Sequence, residues 1–337
     1  MLRDRARSAA ILVPPLLAAM WLGGLWVALV VGIAVVLAGI EAFRLLTAAG
    51  LASLPSLGIV LAVVVALGDS VKALPGGSGL LLAALGIVLV GTGALTRLDP
   101  REGLATFATT TFGALYVGLL GFVVRLGASD SPVDPAALLG FLGPSRAWIL
   151  ALVLVVWAYD TAAYFTGRRF GRRPFMHHIS PSKTLEGVGG GMAAAAIVGA
   201  LFVAAVGRPW LSGLVFGILV GAAAQAGDLA ESMLKRAAGA KESGTLIPGH
   251  GGMLDRVDSF LFAAPVAYFY VVSILHCSGG APARRRPARI HRLDRAPGAG
   301  RARLRPVIPR HRARRGRQRR APDGAGRSPS TRDRRAR

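Results

Sequence analysis

The feature that most constrains this sequence is a series of long apolar segments separated by short polar loops. Runs of about 17–25 apolar residues are long enough to cross a bilayer as helices. The sequence predicts nine such spans, approximately at residues 9–23, 25–43, 51–68, 79–96, 104–125, 147–166, 188–206, 210–227 and 259–275. The first two are nearly fused and predict either a tight hairpin or one long helix. We therefore expect an all-α, polytopic integral membrane protein with about nine transmembrane helices.

The composition supports this fold class. The 337 residues are 53% hydrophobic and only 17% charged, whereas soluble domains carry about 25% charged residues. The single cysteine, Cys277, excludes an internal disulfide and a cysteine-rich metal site.

The net charge of +23 is concentrated at the C-terminus, because residues 277–337 hold 21 Arg and three Asp. We expect two regions: a membrane-embedded domain at 1–276 and an Arg/Ala/Pro/Gly-rich tail at 277–337. The tail has few apolar residues to bury, so we expect it to be disordered. Its composition is also typical of a GC-rich gene read out of frame, and we interpret it as a frameshift product. The alternative is a native tail that binds anionic lipid or nucleic acid. For the main body we expect no nucleic-acid partner.

The basic residues predict the orientation in the membrane, because Lys and Arg concentrate in cytoplasmic loops. Three arginines within residues 3–7 place the N-terminus inside. Alternation through nine spans then places the basic loops inside, at 97–101, 168–183 and 235–256, and an acidic loop outside at 130–134. We expect a protein of the cell (inner) membrane in which a functional site built from these basic loops would face the cytoplasm.

The first polar loop follows a carboxylate, Asp160, that lies inside an apolar span. Such a residue is a functional candidate by default; the alternative is packing as an ion pair with a nearby arginine. The arginines of 168–173 either anchor the loop or attract anionic headgroups. Residues 180–187 offer hydroxyls, Lys183 and the carboxylate of Glu186. Hydroxyls, a lysine and exposed backbone N–H groups at a helix start suit a phosphate ligand. The alternative for this segment is a capped helix start without a ligand.

The second polar loop places carboxylates at both of its ends. Asp228 ends one span, and Asp255 and Asp258 precede the next, so all three lie at one membrane face. Magnesium prefers carboxylate oxygens and keeps positions for substrate phosphates. Between them, His250 could donate to a phosphate, and the adjacent glycines allow close backbone approach to a ligand. The alternative is a solvated interfacial loop with surface Asp–Arg pairs.

These residues closely resemble a family signature. The pattern comprises Ser232, Lys235-Arg236, Lys241-Glu242, Pro248-Gly249-His250-Gly251-Gly252 and Asp255-Arg256-Val257-Asp258. It resembles that of the phosphatidate cytidylyltransferases, also called CDP-diacylglycerol synthases, and so do the upstream segments 160–164 and 180–187. The resemblance covers residues 1–276. It departs at Glu242, where the family usually has Asp, and in the tail, because the family ends shortly after its last span.

The resemblance implies transfer of the cytidylyl group of CTP to phosphatidic acid, giving CDP-diacylglycerol and pyrophosphate in phospholipid biosynthesis, with Mg²⁺ required. It implies Asp228 and Asp255 as metal ligands, with Asp258 as a further ligand or a carboxylate that orients them. The implied catalytic residues are Asp228, Asp255, Asp258, Lys183 and His250. The implied substrate-binding residues are Ser180, Ser182, Thr184, Glu186, Lys235, Arg236, Lys241, Gly251, Gly252, Arg256 and Asp160. Expected partners are CTP, phosphatidic acid and the bilayer, and a homodimer stays open.

Two other functions stay open from the residues. A CTP-dependent lipid or polyprenol kinase would use the same substrates but transfer the γ-phosphate. An ion-coupled transporter would use Asp160 and Asp228 as ion sites, and repeated halves would favour it. We find no internal repeat, and the polar residues cluster at one membrane face instead of the midplane.

Overall fold

The computed structural model describes residues 14–70, 78–246 and 251–275, and these residues are helical apart from their connections. No strand occurs among them, and the one isolated antiparallel bridge joins Pro174 to Thr184. Helix α1 occupies 14–22 of the described residues. The others are α2 (Gly24–Ala48), α3 (Pro55–Leu67), α4 (Ser78–Ala94), α5 (Pro100–Gly118), α6 (Phe122–Gly127), α7 (Gly143–Phe170), α8 (Leu185–Ala205), α9 (Trp210–Ala237) and α10 (Leu254–Tyr270).

Six helical segments in this part of the chain are long and apolar enough to cross a membrane. They are Gly24–Ala48, Pro100–Gly127, Gly140–Phe170, Leu185–Ala205, Trp210–Ala237 and Leu254–Leu275. Two shorter apolar helices lie at Pro55–Ser70 and Ser78–Ala94. The structure therefore agrees with an all-α, polytopic membrane protein, with six segments of sufficient length where the sequence predicts nine. The predicted tail at 277–337 lies outside the described residues.

The boundary between the first two helices lies at a pair of glycines. Gly23 has φ 69° and Gly24 has φ 46°. Both lie in the left-handed backbone region that residues other than glycine rarely adopt. The alternative of one long helix through this region is therefore wrong, and α1 and α2 are separate helices.

Two helices that carry the polar motifs are longer than predicted. Helix α9 continues to Ala237 instead of ending near 227, and α10 begins at Leu254 instead of 259. Buried Leu234 and Leu254 extend the packed faces of these helices beyond the membrane-like stretches. As a result Asp228 and Asp258 lie on helices, where the sequence analysis placed them in a loop.

The helices pack around two clusters of buried apolar side chains. One lies among α2, α3 and α5 and contains Phe43 and Leu61. The other lies among α7 to α10 and contains Trp148 and Phe216. Helix α10 contributes to both clusters, with Leu261 in the first and Ala263, Ala264 and Ala267 in the second. The start of α10 is thereby held between the two groups of helices.

Small residues bring α8 and α9 close together, as their composition predicts. A Cβ atom on Gly217 would overlap the carbonyl oxygen of Ala195, and one on Gly199 would overlap the backbone of Gly213. Close backbone approach through small residues is the usual way in which membrane helices associate. This contact fixes the position of the polar end of α9 against the start of α8.

Candidate functional site

The candidate site lies where the polar ends of α7 and α9 meet the first turns of α8 and α10. Two glycine positions allow the helices to approach here. A Cβ on Gly227 would lie 2.5 Å from the carbonyl oxygen of Asp258, and one on Gly187 would lie 2.9 Å from that of Ala163. The close approach at Gly227 brings Asp228 of α9 to the level of Asp258 of α10.

Three carboxylates form an acidic group at this crossing. Asp228 and Glu231 lie one turn apart on α9, and Asp258 faces them from α10. One oxygen from each lies within 4.8 Å of the others. The Glu231 side chain is fully buried, and the other two are half-buried. Like charges this close repel one another, and an oxygen-only donor set of this kind suits a hard divalent cation such as Mg²⁺.

A lysine from the loop before α8 reaches this acidic group. The Lys183 Nζ atom lies 2.5 Å from Asp228 Oδ2, and the Ser232 hydroxyl lies 3.4 Å from Asp228 Oδ1. The 180–187 loop and the polar end of α9 are thus in direct contact. A cationic ammonium beside carboxylates that could hold a metal ion is an arrangement suited to a phosphate ligand.

Asp255 is not one of the three grouped carboxylates, although it shares Lys235 with Glu231, and it has further partners of its own. Its Oδ1 accepts a bond from Lys235 Nζ at 2.7 Å. Its Oδ2 accepts bonds from the Gly252 N–H at 2.8 Å and from the Ser243 N–H at 3.0 Å and hydroxyl at 2.8 Å. The predicted ligand pair Asp228 and Asp255 thus differs from the observed grouping, in which Glu231 and Asp258 accompany Asp228. With four donors already on it, Asp255 holds Ser243 and Gly252 in place.

Lys235 connects the two sets of carboxylates. It pairs with Asp255 and also with Glu231 on the preceding turn of α9. Its side chain is only 14% exposed, so the positive charge sits among buried acids. Lys235 therefore fixes the positions of the Glu231 and Asp255 carboxylates relative to each other, and it is also close enough to this site to contact a ligand.

The loop before α8 is held by its own polar side chains. The Thr184 hydroxyl caps α8 by accepting from the Gly187 N–H at 3.1 Å. Glu186 accepts from the N–H groups of Arg172 and Arg173 at 3.0 and 3.2 Å. The alternative of a capped helix start thus describes these two residues well. Their bonds keep Lys183 at the start of α8.

The other predicted site residues lie around this centre. Ser180 is buried, whereas Ser182, Arg236, Lys241 and Arg256 are exposed. Arg236 Nε donates to the carbonyl oxygen of Ile179 at 3.3 Å and so links α9 to the same loop. Asp160 is exposed on α7, within electrostatic range of Asp228 and Lys183. Gly251 has φ 77°, and Gly252 is buried beside Asp255. His250 lies outside the described residues.

Sequence reasoning assigned no role to several residues that the structure places here. Glu41 of α2 is 4% exposed and bonds the segment around Asp255. Tyr159 donates to Gln225 Oε1 at 2.8 Å in the interior next to Asp160. The signal for Glu41 was present, because it is a carboxylate within an apolar span, as Asp160 is. The signal for Glu231 was its position three residues after Asp228 on one helix face.

The sequence of this chain is also similar to those of known proteins. A family model described as the cytidylyltransferase family matches residues 3–274. Over 189 residues the chain is 40% identical to a phosphatidate cytidylyltransferase of Synechocystis sp., covering 51% of this chain and 64% of that relative.

Two further phosphatidate cytidylyltransferases show comparable similarity. The protein of Bacillus subtilis is 43% identical over 124 residues, which cover 36% of this chain and 46% of the relative. The protein of Brucella suis is 38% identical over 190 residues, covering 56% and 65%. The matched segments thus span about half to just under two thirds of the length of these curated relatives.

Proposed function

The chain belongs to the cytidylyltransferase family, and from this membership we propose that it transfers the cytidylyl group of CTP to phosphatidic acid. The products are CDP-diacylglycerol and pyrophosphate. The observation that carries the proposal is the group of Asp228, Glu231 and Asp258 with Lys183 beside it. It combines donors for a divalent cation with a cation for a phosphate at the polar ends of apolar helices, where a lipid and a soluble nucleotide can meet.

The reaction itself requires little covalent chemistry from the protein. The phosphate monoester of the lipid has a second pKa of about 6, so it is largely dianionic at neutral pH. One of its oxygens attacks the α-phosphorus of CTP and forms a new P–O bond. The bond from the α-phosphorus to the bridging oxygen breaks, and pyrophosphate leaves with that electron pair. The protein therefore has to position two polyanions and offset the charge on the leaving group.

A divalent cation, which we propose to be Mg²⁺, fits the oxygen donors of Asp228, Glu231 and Asp258. When bound, it would neutralise phosphate charge and orient the triphosphate. This ligand set revises the predicted pair of Asp228 and Asp255. The fit rests on the mutual distance of the three carboxylates and on the burial of Glu231.

The cationic side chains would contact the phosphates. Lys183 is the nearest to the acidic group and is proposed to bind CTP. Lys235 holds the carboxylates from the other side. The remaining phosphate-binding candidates are Arg236, Lys241, His250 and Arg256, and the proposed contacts of the α8 loop are Ser180, Ser182, Thr184 and Glu186. Asp160 and the glycines Gly251 and Gly252 complete the proposed substrate surface.

Lys183→Ala is expected to lower kcat/KM for CTP by roughly 10- to 100-fold, the usual effect of losing one hydrogen bond to a charged group. Steady-state kinetics with varied CTP would measure it. Lys183→Arg keeps the charge and should retain more activity than alanine. Unchanged kcat and KM in the alanine variant would show that the 180–187 loop has only a structural role.

The fate of radiolabel from CTP tests the function directly. Purified protein would be incubated with phosphatidic acid, Mg²⁺ and CTP labelled at either the α- or the γ-phosphate. A cytidylyltransferase transfers the α-label to the lipid and releases the γ-label in pyrophosphate. Transfer of the γ-label to lipid would instead indicate a kinase, and an unlabelled lipid in both cases would contradict both enzymes. Asp228→Asn protein is the control for contaminating activity.

The finer topology is also part of the proposal: nine spans in the inner membrane, with the N-terminus and the site in the cytoplasm. Ser182 and Ala136 are both exposed, and the proposed topology assigns them to opposite sides of the membrane. In a Cys277→Ser background, Ser182→Cys should react with a membrane-impermeant maleimide only after permeabilisation, whereas Ala136→Cys should react in intact cells. The opposite labelling pattern would show that the orientation is the reverse of the one proposed.

A homodimer is also part of the proposal, and chemical cross-linking would test it.

The tail at 277–337 lies beyond the residues that match the family, and we propose that it contributes nothing to catalysis. A truncation after Leu275 is expected to keep wild-type activity per molecule in the membrane. Resequencing codons 270–280 would reveal a frameshift. Loss of activity on truncation, with the reading frame confirmed, would show that the tail is a functional part of the protein.

A further inference from the structure

A buried glutamate from α2 is bonded to a segment about two hundred residues away in the sequence. The carboxylate of Glu41 accepts two backbone hydrogen bonds and lies beside a hydroxyl. Its Oε1 accepts from the Met253 N–H at 3.0 Å, its Oε2 accepts from the Leu254 N–H at 2.8 Å, and the Ser243 hydroxyl oxygen lies 3.0 Å from the same Oε2. Met253, the N-cap residue of α10, makes no capping bond with its own side chain. Glu41 therefore caps α10 from another helix and places a negative charge where the helix dipole favours one.

The contact around Glu41 is closely fitted. A Cβ atom on Gly252 would overlap the Glu41 carboxylate, and one on Gly244 would lie 2.8 Å from its Oε1. Only glycines let the backbone close around the carboxylate on these two sides. The Glu41 carboxylate is thus enclosed by Gly244 on one side and on the other by Gly252, three residues before Asp255.

The bonds of Glu41 continue to the acidic group through polar side chains. The Ser243 hydroxyl has one proton and lies between two acceptors, at 3.0 Å from Glu41 Oε2 and 2.8 Å from Asp255 Oδ2. Asp255 is paired with Lys235, and Lys235 is paired with Glu231. The order along this chain of contacts is Glu41, Ser243, Asp255, Lys235 and Glu231.

We propose that Glu41 is a positioning residue for the acidic group. It fixes the first turn of α10, which leads directly into the turn that carries Asp258, and through Ser243 and Asp255 it fixes Lys235 and hence Glu231. Two of the three candidate metal ligands are thereby positioned by a side chain from α2 that is not itself one of the three. The catalytic consequence rests on the proposed function, whereas the structural consequence does not.

Glu41→Gln tests the structural consequence in the metal-free protein. The amide group replaces one acceptor oxygen with a donor that faces the N–H or hydroxyl donors, so at least one bond is lost. Hydrogen exchange at Met253 and Leu254 is expected to accelerate by on the order of 10-fold. The matched control is Glu102→Gln, the same change at an exposed glutamate paired with Arg97 at 3.1 Å, which should leave exchange at these amides unchanged.

The dependence of activity on Mg²⁺ tests the catalytic consequence. In Glu41→Gln, the Mg²⁺ concentration for half-maximal rate is expected to rise by on the order of 10-fold, with much of kcat regained at saturating Mg²⁺. A variant that merely folds less well would lose rate at every Mg²⁺ concentration without this shift. Ser243→Ala keeps the backbone bonds of Glu41, so it should shift the Mg²⁺ dependence while leaving the exchange at Leu254 near wild type.

Wild-type exchange and wild-type Mg²⁺ dependence in Glu41→Gln would overturn the inference. If that variant does not accumulate in the membrane, Ser243→Ala decides, and an unchanged Mg²⁺ dependence in it would equally overturn the inference. Wild-type protein that forms no CDP-lipid would contradict the proposed function instead, and the exchange measurement would still test the placement of α10 by Glu41.

Discussion

Asp228→Asn and Asp258→Asn are each expected to lower turnover by at least about 100-fold, the scale of losing a preorganised charge at a transition state. Both side chains contribute an oxygen to the group that lies within 4.8 Å. Asparagine keeps the shape of the side chain but removes the charge that a hard cation requires. Initial rates of lipid labelling from α-labelled CTP at saturating substrate would measure the loss. Near-normal Mg²⁺-dependent turnover in either variant would contradict the proposed ligand set.

Asp255→Asn is the informative comparison, because both the predicted ligand pair and the observed anchoring role lead to lost activity. Metal ligation and structural anchoring predict different effects of Mg²⁺ on the melting temperature of the variant. If Asp255 holds Ser243 and Gly252 in place, its variant should melt at a lower temperature but still be stabilised by Mg²⁺, since binding to the native state raises Tm. Asp258→Asn should lose that Mg²⁺-dependent stabilisation. The reverse outcome would restore Asp255 as a ligand.

The course of the helices was predictable, because spans in lipid must satisfy their backbone groups internally and therefore show as long apolar runs. Their ends were less predictable. The polar sequence after 227 indicated a loop, but it contains good helix formers and the buried residues Glu231 and Leu234, which extend α9 to Ala237. Tertiary packing determined this boundary, and hydropathy does not report packing.

The site could be predicted only as a region. The motif identified Asp228, Asp255 and Asp258 as one cluster at one membrane face, but spacing along the chain does not show which carboxylates converge. The rotation of α10 against α9 brings Asp258 to Asp228 and leaves Asp255 facing Lys235. Glu41 was visible as a carboxylate within an apolar span, but its partners Ser243, Met253 and Leu254 could not be predicted, because only the fold brings them to it.

Lys235→Met is expected to destabilise the protein more than any other single change considered. Lys235 is 14% exposed and pairs with Glu231, which is fully buried, and with Asp255, which is 10% exposed. Methionine fills a similar volume but leaves two buried carboxylates without their counter-charge. Breaking a buried ion pair by removing one partner costs about 3–5 kcal/mol, which lowers Tm by on the order of 10 °C in a domain of this size. Thermal unfolding in detergent, followed by tryptophan fluorescence, would measure the shift.

Lys241→Met provides the matched control for stability, because Lys241 is an exposed lysine in the adjoining segment, and its replacement should leave Tm within about 2 °C of wild type. The double variant Lys235→Met with Glu231→Gln separates charge from packing. Removing the buried carboxylate together with its partner should recover part of the lost stability, since residues in one network do not contribute additively. Turnover should stay low in the double variant, because Glu231 is also a proposed ligand. If the Lys235→Met variant had the same Tm as the wild-type protein, Glu231 and Asp255 would have to be neutral or hydrated in the absence of the lysine. Lys235 would then not be a stabilising link between Glu41 and Glu231.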